Sequence, residues 1–102
     1  MAKQGTTKDQ RLDWVTAELH PEFDGGFKLV VEGVAPVPTR VRLEPLPDNG
    51  DDRRGVELLG HPTGIGEQVE TPWVAEIGTR NINGPDGVEL IGLTDRRAFP
   101  AR

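Results

Sequence analysis

Two glycine-bounded segments of the chain are nearly identical. Residues 55–60 read GVELLG, and residues 87–92, about 32 positions further along, read GVELIG. Within each segment apolar residues flank an acidic one between two glycines, which is the pattern of a short β-strand. Each copy also follows another strand-like segment and a polar loop. The repeat therefore predicts a strand–loop–strand unit that occurs at least twice as a β-hairpin.

A less complete third copy lies nearer the N-terminus. Residues 14–19 (WVTAEL) resemble residues 73–77 (WVAEI), and residues 26–33 form another glycine-bounded run. Three copies would give three successive hairpins. The alternative is a chance likeness among strands that are all rich in Gly, Val, Glu and Leu, and the sequence leaves a true duplication and a chance likeness equally open.

The segment 9–19 admits two secondary structures. A capping-box pattern begins at Thr7, and Leu12, Val15 and Leu19 have helical spacing, which together indicate an amphipathic helix. However, apolar and polar residues alternate from Val15 to Leu19, and the residue types there favour strands. We prefer the strand.

The high content of glycine and proline indicates the fold class. The chain has 102 residues with 13 Gly and 9 Pro, so it has room for one domain made of short elements separated by turns. We predict an all-β fold: a single small antiparallel sandwich or partly open barrel of about six short strands built from successive hairpins, with flexible termini. The expected domain spans residues 9–93, between a disordered N-terminal tail (1–8) and a C-terminal tail (94–102).

The patterns of three segments predict further details of the sheets. Residues 27–33 form the best strand, and Val30 on its second face predicts a central strand that is covered on both sides. Pro36 and Pro38 predict an extended connector that crosses from one sheet or edge to another. Pro45, near the end of the next strand, marks that strand as an edge.

The composition argues against several classes of function. The net charge is −5 and the basic residues are concentrated near the two ends, so the acidic body does not suit a nucleic-acid surface. The chain lacks Cys, Ser and Tyr, which leaves few nucleophiles, and we expect no enzyme activity and no cofactor. No apolar run approaches the length of a membrane span, and the cysteine-free sequence suits a cytoplasmic protein.

Two polar loops are the candidate binding surfaces. The first contains Asp48, Asn49, Asp51 and Asp52, and the second contains Asn81, Asn83 and Asp86. Their order does not match a calcium-binding loop, so we interpret them as loops that contact a partner.

Two further pairs of residues have alternative interpretations. His20 and His61 each precede a proline, and together with a nearby acid they could form a metal or acid–base site if the fold brought them together. Trp14 and Trp73 open two copies of the strand unit, either as core anchors, which we favour, or as exposed stacking platforms.

The sequence thus favours a non-catalytic protein-interaction module that binds through its loops and an exposed strand edge. The first alternative is a structural subunit of a larger assembly, of the virion or tail type, whose basic ends contact acidic neighbours. The second is a metal- or ligand-binding protein that uses His20 and His61. The expected partner is another protein or a second copy of the chain.

Overall fold

The computed structural model describes residues 9–63 and 69–102. These residues form eight strands and no helix. The strands are β1 (Gln10–Arg11), β2 (Thr16–Pro21), β3 (Phe27–Ala35), β4 (Thr39–Pro45), β5 (Arg54–Pro62), β6 (Thr71–Gly78), β7 (Val88–Ile91) and β8 (Arg96–Phe99). The predicted all-β class is confirmed. The predicted disordered segment, residues 1–8, lies outside the described residues.

Two sheets make up the sandwich. Sheet B has the order β2-β3-β6 and is antiparallel throughout. In sheet A, β5 pairs with β4 along one edge, while its other edge is shared by β1 and β7, and β8 pairs with β7. The core between the sheets contains Leu29 and Val31 from sheet B and Val56, Leu58, Val88 and Leu90 from sheet A, all of which are fully buried.

Several sequence predictions are confirmed. β3 is the central strand of sheet B, and Val30 is buried although it lies on the face opposite the core. The proline connector after β3 crosses from sheet B to sheet A, and β4 is an edge strand of sheet A. The β2–β3 and β4–β5 hairpins are also present, with Gly25 at φ +93° in the first turn.

Residues 9–19 contain strand β1 and most of β2 and no helix, in agreement with the preferred interpretation. β1 pairs with β5 in sheet A, and the Val15 amide then donates to the Glu32 carbonyl in sheet B (2.8 Å). The chain thus passes from one sheet to the other within a few residues. The helical spacing of Val15 has no structural counterpart, because that side chain is 72% exposed.

The sequence predicted that residues 73–77 and the second glycine-bounded segment, residues 87–92, form a hairpin, and this prediction was wrong. β6 pairs with β3 in sheet B, whereas β7 lies in sheet A, parallel to β5 and antiparallel to β8. The reason is the apolar inner face of β6, which carries Trp73 and Ala75 and packs across the core as part of sheet B. The loop after β6 then spans the roughly 10 Å between sheets, which a tight turn cannot do.

The C-terminal segment also differs from its prediction as a tail. β8 lies within residues 94–102, pairs with β7, and buries Phe99 in the core. The sheet therefore extends beyond the predicted domain boundary at residue 93. A single buried aromatic residue next to two arginines was too weak a pattern to predict a strand there.

Both tryptophans pack onto glycines. Trp73 is 8% exposed and its ring covers Gly33, where an added Cβ would lie 2.5 Å from Cζ2 of that ring. Trp14 packs against the core and covers Gly92 in the same way, at 2.7 Å. The core interpretation of both residues is therefore supported. The indole N–H of Trp73 is buried, and no group in residues 9–63 or 69–102 accepts a hydrogen bond from it.

Candidate functional site

Parallel pairing brings the two predicted binding loops together. β5 and β7 run in the same direction, so the loop that enters β5 (residues 46–53) and the loop that enters β7 (residues 79–87) lie at the same end of sheet A. We call these two segments the loop pair. A β6–β7 hairpin would instead have placed the second loop beyond the end of its own two strands. The parallel β5–β7 pairing, which was not predicted, therefore places the two predicted binding loops next to each other.

Backbone hydrogen bonds join the two loops. The Asp86 amide donates to the Asp52 carbonyl (2.7 Å), and the Arg54 amide donates to the Gly87 carbonyl (3.0 Å). Gly84 allows this approach, since a Cβ at that position would lie 2.7 Å from the Asp52 carbonyl oxygen. The contact fixes the two loops relative to each other through main-chain groups, whatever their side chains do.

Each loop is also ordered internally. In the first, the Asp48 carboxylate accepts from the Gly50 amide (3.0 Å), which is an Asx turn, and Gly50 has φ +82°. In the second, Thr79 is buried, and both its amide and its hydroxyl donate to the Phe27 carbonyl (2.9 and 3.1 Å). Thr79 thus anchors the start of the second loop to sheet B.

The loop pair borders a cleft of about 160 Å³ on the outer face of sheet A. Its apolar part comes from Leu46, Ile82 and Ile91. Gly55 keeps the floor open, because a Cβ there would lie 2.9 Å from Cδ1 of Leu46. An apolar floor with a polar rim is the usual anatomy of a surface that receives a partner side chain.

Four of the seven predicted site residues line this cleft: Asp48, Asn49, Asp51 and Asn83. Asp52 and Asp86 do not line it but link the loops through their main-chain groups. Asn81 is exposed near the cleft's second loop and lies outside the lining.

Charged residues that were not predicted from the sequence complete the rim. They are Arg53, Arg54, Glu89 and Arg96. Arg96 lies 3.6 Å from Glu89, and Arg54 Nε donates to the Leu46 carbonyl. With Asp48 and Asp51, the cleft is therefore lined by three acids and three bases, whose charges balance. Arg53 and Arg54 adjoin the acidic run in sequence, whereas the β5–β7 pairing brings Glu89 to the site and the β7–β8 pairing brings Arg96.

The two histidines belong to separate clusters. In sheet B, His20 Nε2 lies 3.0 Å from Glu18 Oε1, and in sheet A, His61 Nδ1 lies 3.3 Å from Asp9 Oδ1. Within residues 9–63 and 69–102, no group of three or more His, Cys, Asp or Glu side chains is arranged to hold a metal ion. The geometry thus does not assemble the two-histidine site.

Asp9, immediately before β1, is the centre of a charged cluster that includes side chains of β4 and β5. Its carboxylate lies 2.7 Å from the Arg42 guanidinium, which also contacts Glu44 at 2.8 Å. The hydrogen bond from Arg42, together with the Coulomb attraction of its positive charge, lowers the pKa of Asp9 below its ordinary value. The cluster connects β1 to the far edge strand β4 across β5.

The family models, the curated proteins and the solved structures that were compared with this chain contain no match to it. In the described part of the chain, no helix has the length and apolar character to cross a membrane.

Proposed function

We propose that the protein is a non-catalytic interaction module that binds a protein partner through the loop pair. The observation that carries the proposal is the direct backbone contact between the loops, at 2.7 Å from Asp86 to Asp52, beside the cleft. Two loops from distant parts of the chain form one continuous surface on a rigid sheet. This is how β-sandwich modules present binding residues. The cytoplasmic location inferred from the cysteine-free sequence is part of the same proposal.

The residue types on the surface favour a protein partner. The rim offers carboxylates, amides and guanidinium groups around Leu46, Ile82 and Ile91. Such a mixture suits a partner loop that places one apolar side chain in the cleft and hydrogen-bonds around it. The balanced charge of the rim gives no reason to prefer a highly charged ligand.

A pair of matched double variants tests the proposal. Asp51→Lys/Asp52→Lys reverses two exposed charges on the loop pair, and Glu22→Lys/Glu70→Lys makes the same change in net charge at exposed sites outside it. Proteins retained from an extract of cells that express the chain are quantified by mass spectrometry for the wild type and both variants. We expect a set of proteins to be lost with the loop variant and kept with the control. Equal retention by all three would reject the loop pair as the binding surface.

One observation favours the alternative of an assembly subunit. Val15, Val34 and Val74 are 72%, 52% and 58% exposed, and they adjoin one another near one end of sheet B, with Pro72 beside them. Such an apolar patch suits contact with a second copy of the chain. For this alternative, light scattering over a wide concentration range should show a rise in mass, and Val34→Lys/Val74→Lys should abolish the rise.

A further inference from the structure

The two sides of the sandwich differ in how they are closed. On one side, β4 and β6 lie next to each other and cover the gap between the sheets. On the other side, the outermost strands are β2 in sheet B and β8 in sheet A, and each pairs with only one neighbour among the described residues. Between these two strands lies a groove of about 390 Å³. We call it the edge groove.

Apolar side chains line the edge groove. Leu19 comes from β2, Phe27 from the start of β3, and Phe99 from β8, with Pro100 next to it. Phe99 is only 6% exposed and joins the core, whereas Leu19 and Phe27 are half-buried. The groove thus exposes part of the apolar interior between two free strand edges, which is the arrangement that accepts an added strand.

The charged residues of the groove are mainly basic. The guanidinium of Arg97 lies 5.1 Å from the centre of the Phe99 ring, and that of Arg102 lies 5.9 Å from the centre of the Phe27 ring. Neither guanidinium has a carboxylate within 4 Å among the described residues. Among the residues that the structure describes, Glu18 is the one acid that lines the groove, and it contacts His20.

We propose that the edge groove binds an extended acidic segment of a partner protein, which adds as a strand to the free edge of β2. Its backbone would pair with β2, its apolar side chains would contact Phe27 and Phe99, and its carboxylates would bind Arg97 and Arg102. A basic groove on a protein of net charge −5 is a local exception, and it selects an acidic segment over a basic one by charge complementarity. The free strand edge selects a polypeptide, because it offers main-chain donors and acceptors in register.

This surface is separate from the loop pair. Arg96 and Arg97 are consecutive on β8 and lie on opposite faces of sheet A, so Arg96 borders the loop cleft and Arg97 the edge groove. The variants of the loop pair therefore leave the edge groove unchanged, and the variants of the edge groove leave the loop pair unchanged. Either proposal can fail without the other.

The test uses two synthetic peptides of about eight residues, roughly the length of one strand. One combines Glu with Leu, Val and Thr, and the other has Lys in place of every Glu. Binding is measured by fluorescence anisotropy, and the site by amide chemical-shift changes. We expect the acidic peptide to bind, the Lys peptide not to bind, and the largest shifts to fall in β2. Equal binding of both peptides, no binding of either, or shifts confined to other strands would overturn the proposal.

Charge reversal identifies the residues responsible. Arg97→Glu and Arg102→Glu should each weaken binding of the acidic peptide about tenfold, since each removes a charge-assisted contact. Arg97→Lys keeps the charge and should retain most of the affinity. Arg40→Glu, at an exposed position on β4, makes the same charge change away from the groove and should alter the affinity by less than about twofold. Equal losses for Arg97→Glu and Arg40→Glu would show a general charge effect and reject the groove.

A second copy of the chain is the competing occupant. If the protein forms dimers that Arg97→Glu abolishes, the groove is filled by another copy, and the proposal of a separate acidic partner fails.

Discussion

The two copies of the glycine-bounded segment have nearly the same sequence but different surroundings. The first copy lies in β5, a nine-residue strand at the centre of sheet A with partners along both edges. The second lies in β7, a four-residue strand between β5 and β8. The two copies lie side by side and parallel, with Gly55 opposite Glu89. This register is offset by two residues from the equivalent Gly87, and because side chains alternate with a period of two, equivalent residues lie on the same face of the sheet. Local sequence thus sets strand and face, whereas flanking contacts set strand length and partners.

Substitution by alanine should have its most unequal effects on stability at the first glycine of each copy, Gly87 and Gly55. Gly87 has φ +109°, and a Cβ there would overlap the Phe99 carbonyl and lie 2.7 Å from the Ala101 amide nitrogen. Because these are main-chain atoms, we expect Gly87→Ala to lower the free energy of unfolding by more than about 4 kcal/mol. The matched variant Gly55→Ala meets flexible ends of Leu46 and Ile91 and should cost about 1 kcal/mol. Urea unfolding of both variants tests the difference, and equal losses would contradict it.

The central leucines of the two copies should contribute equally to stability. Leu58 and Leu90 are both fully buried in the same core. We expect Leu58→Ala and Leu90→Ala each to lower the free energy of unfolding by about 3 kcal/mol. Thermal and urea unfolding measure this. A loss at one position several times that at the other would show that the core does not treat the two copies as equivalent.

At the last glycine of each copy, Gly92 and Gly60, substitution by alanine should give a smaller difference in stability. A Cβ at Gly92 would lie 2.8 Å from the Leu12 carbonyl oxygen as well as against Trp14, whereas at Gly60 the nearest atoms are side-chain methyl groups of Leu12 and Thr39. Main-chain atoms yield less readily than methyl groups. We therefore expect Gly92→Ala to cost about 2 kcal/mol and Gly60→Ala about 1 kcal/mol in the same unfolding assay. The opposite order would indicate that the Leu12 side chain is the more rigid neighbour.

The smallest expected effect concerns β1, which pairs with the first copy and not the second. The pKa of Asp9 is lower in the folded chain than its ordinary value of 3.8, because of Arg42. Its contribution to stability is therefore complete above about pH 3.8 and is lost as the pH falls through the lower folded value. In that acid range, the protection of the Arg11 amide against hydrogen exchange, relative to the unfolded chain at the same pH, should fall before that of the Leu90 amide. Asp9→Asn should lower the protection of the Arg11 amide already at neutral pH and remove the change in protection with pH. A simultaneous loss of protection at both amides in the wild type would contradict a local role.

The fold was predictable to the level of strands and faces. Alternating residues and prolines identified the central strand β3, the sheet-crossing connector and the edge strand β4, because these depend on local geometry. Strand pairing was predictable only where a hairpin forms. The parallel contact between β5 and β7 depends on β6 joining the other sheet through Trp73 and Ala75, a long-range packing outcome that no local pattern encodes.

The candidate site shows the same division. Turn-forming acids and amides identified both loops, including Asp48 and Asn83, from their composition alone. That the loops touch, and that Glu89 and Arg96 complete the rim, follows from strand pairing and was not predictable. The edge groove was not predictable either, since it requires that β2 and β8, each paired along one edge, have their free edges on the same side of the sandwich.

The parallel contact between β5 and β7 also has a kinetic consequence. Hairpins such as β2–β3 and β4–β5 close short stretches of chain, whereas β7 can reach β5 only after the chain has crossed to sheet B and returned. Closing such a long stretch is slow, so we expect refolding on the millisecond-to-second scale, with the β5–β7 contact formed late. The two loops would meet only in that step. A folding intermediate with both hairpins complete would therefore still lack the loop surface, and partner binding would report on complete folding.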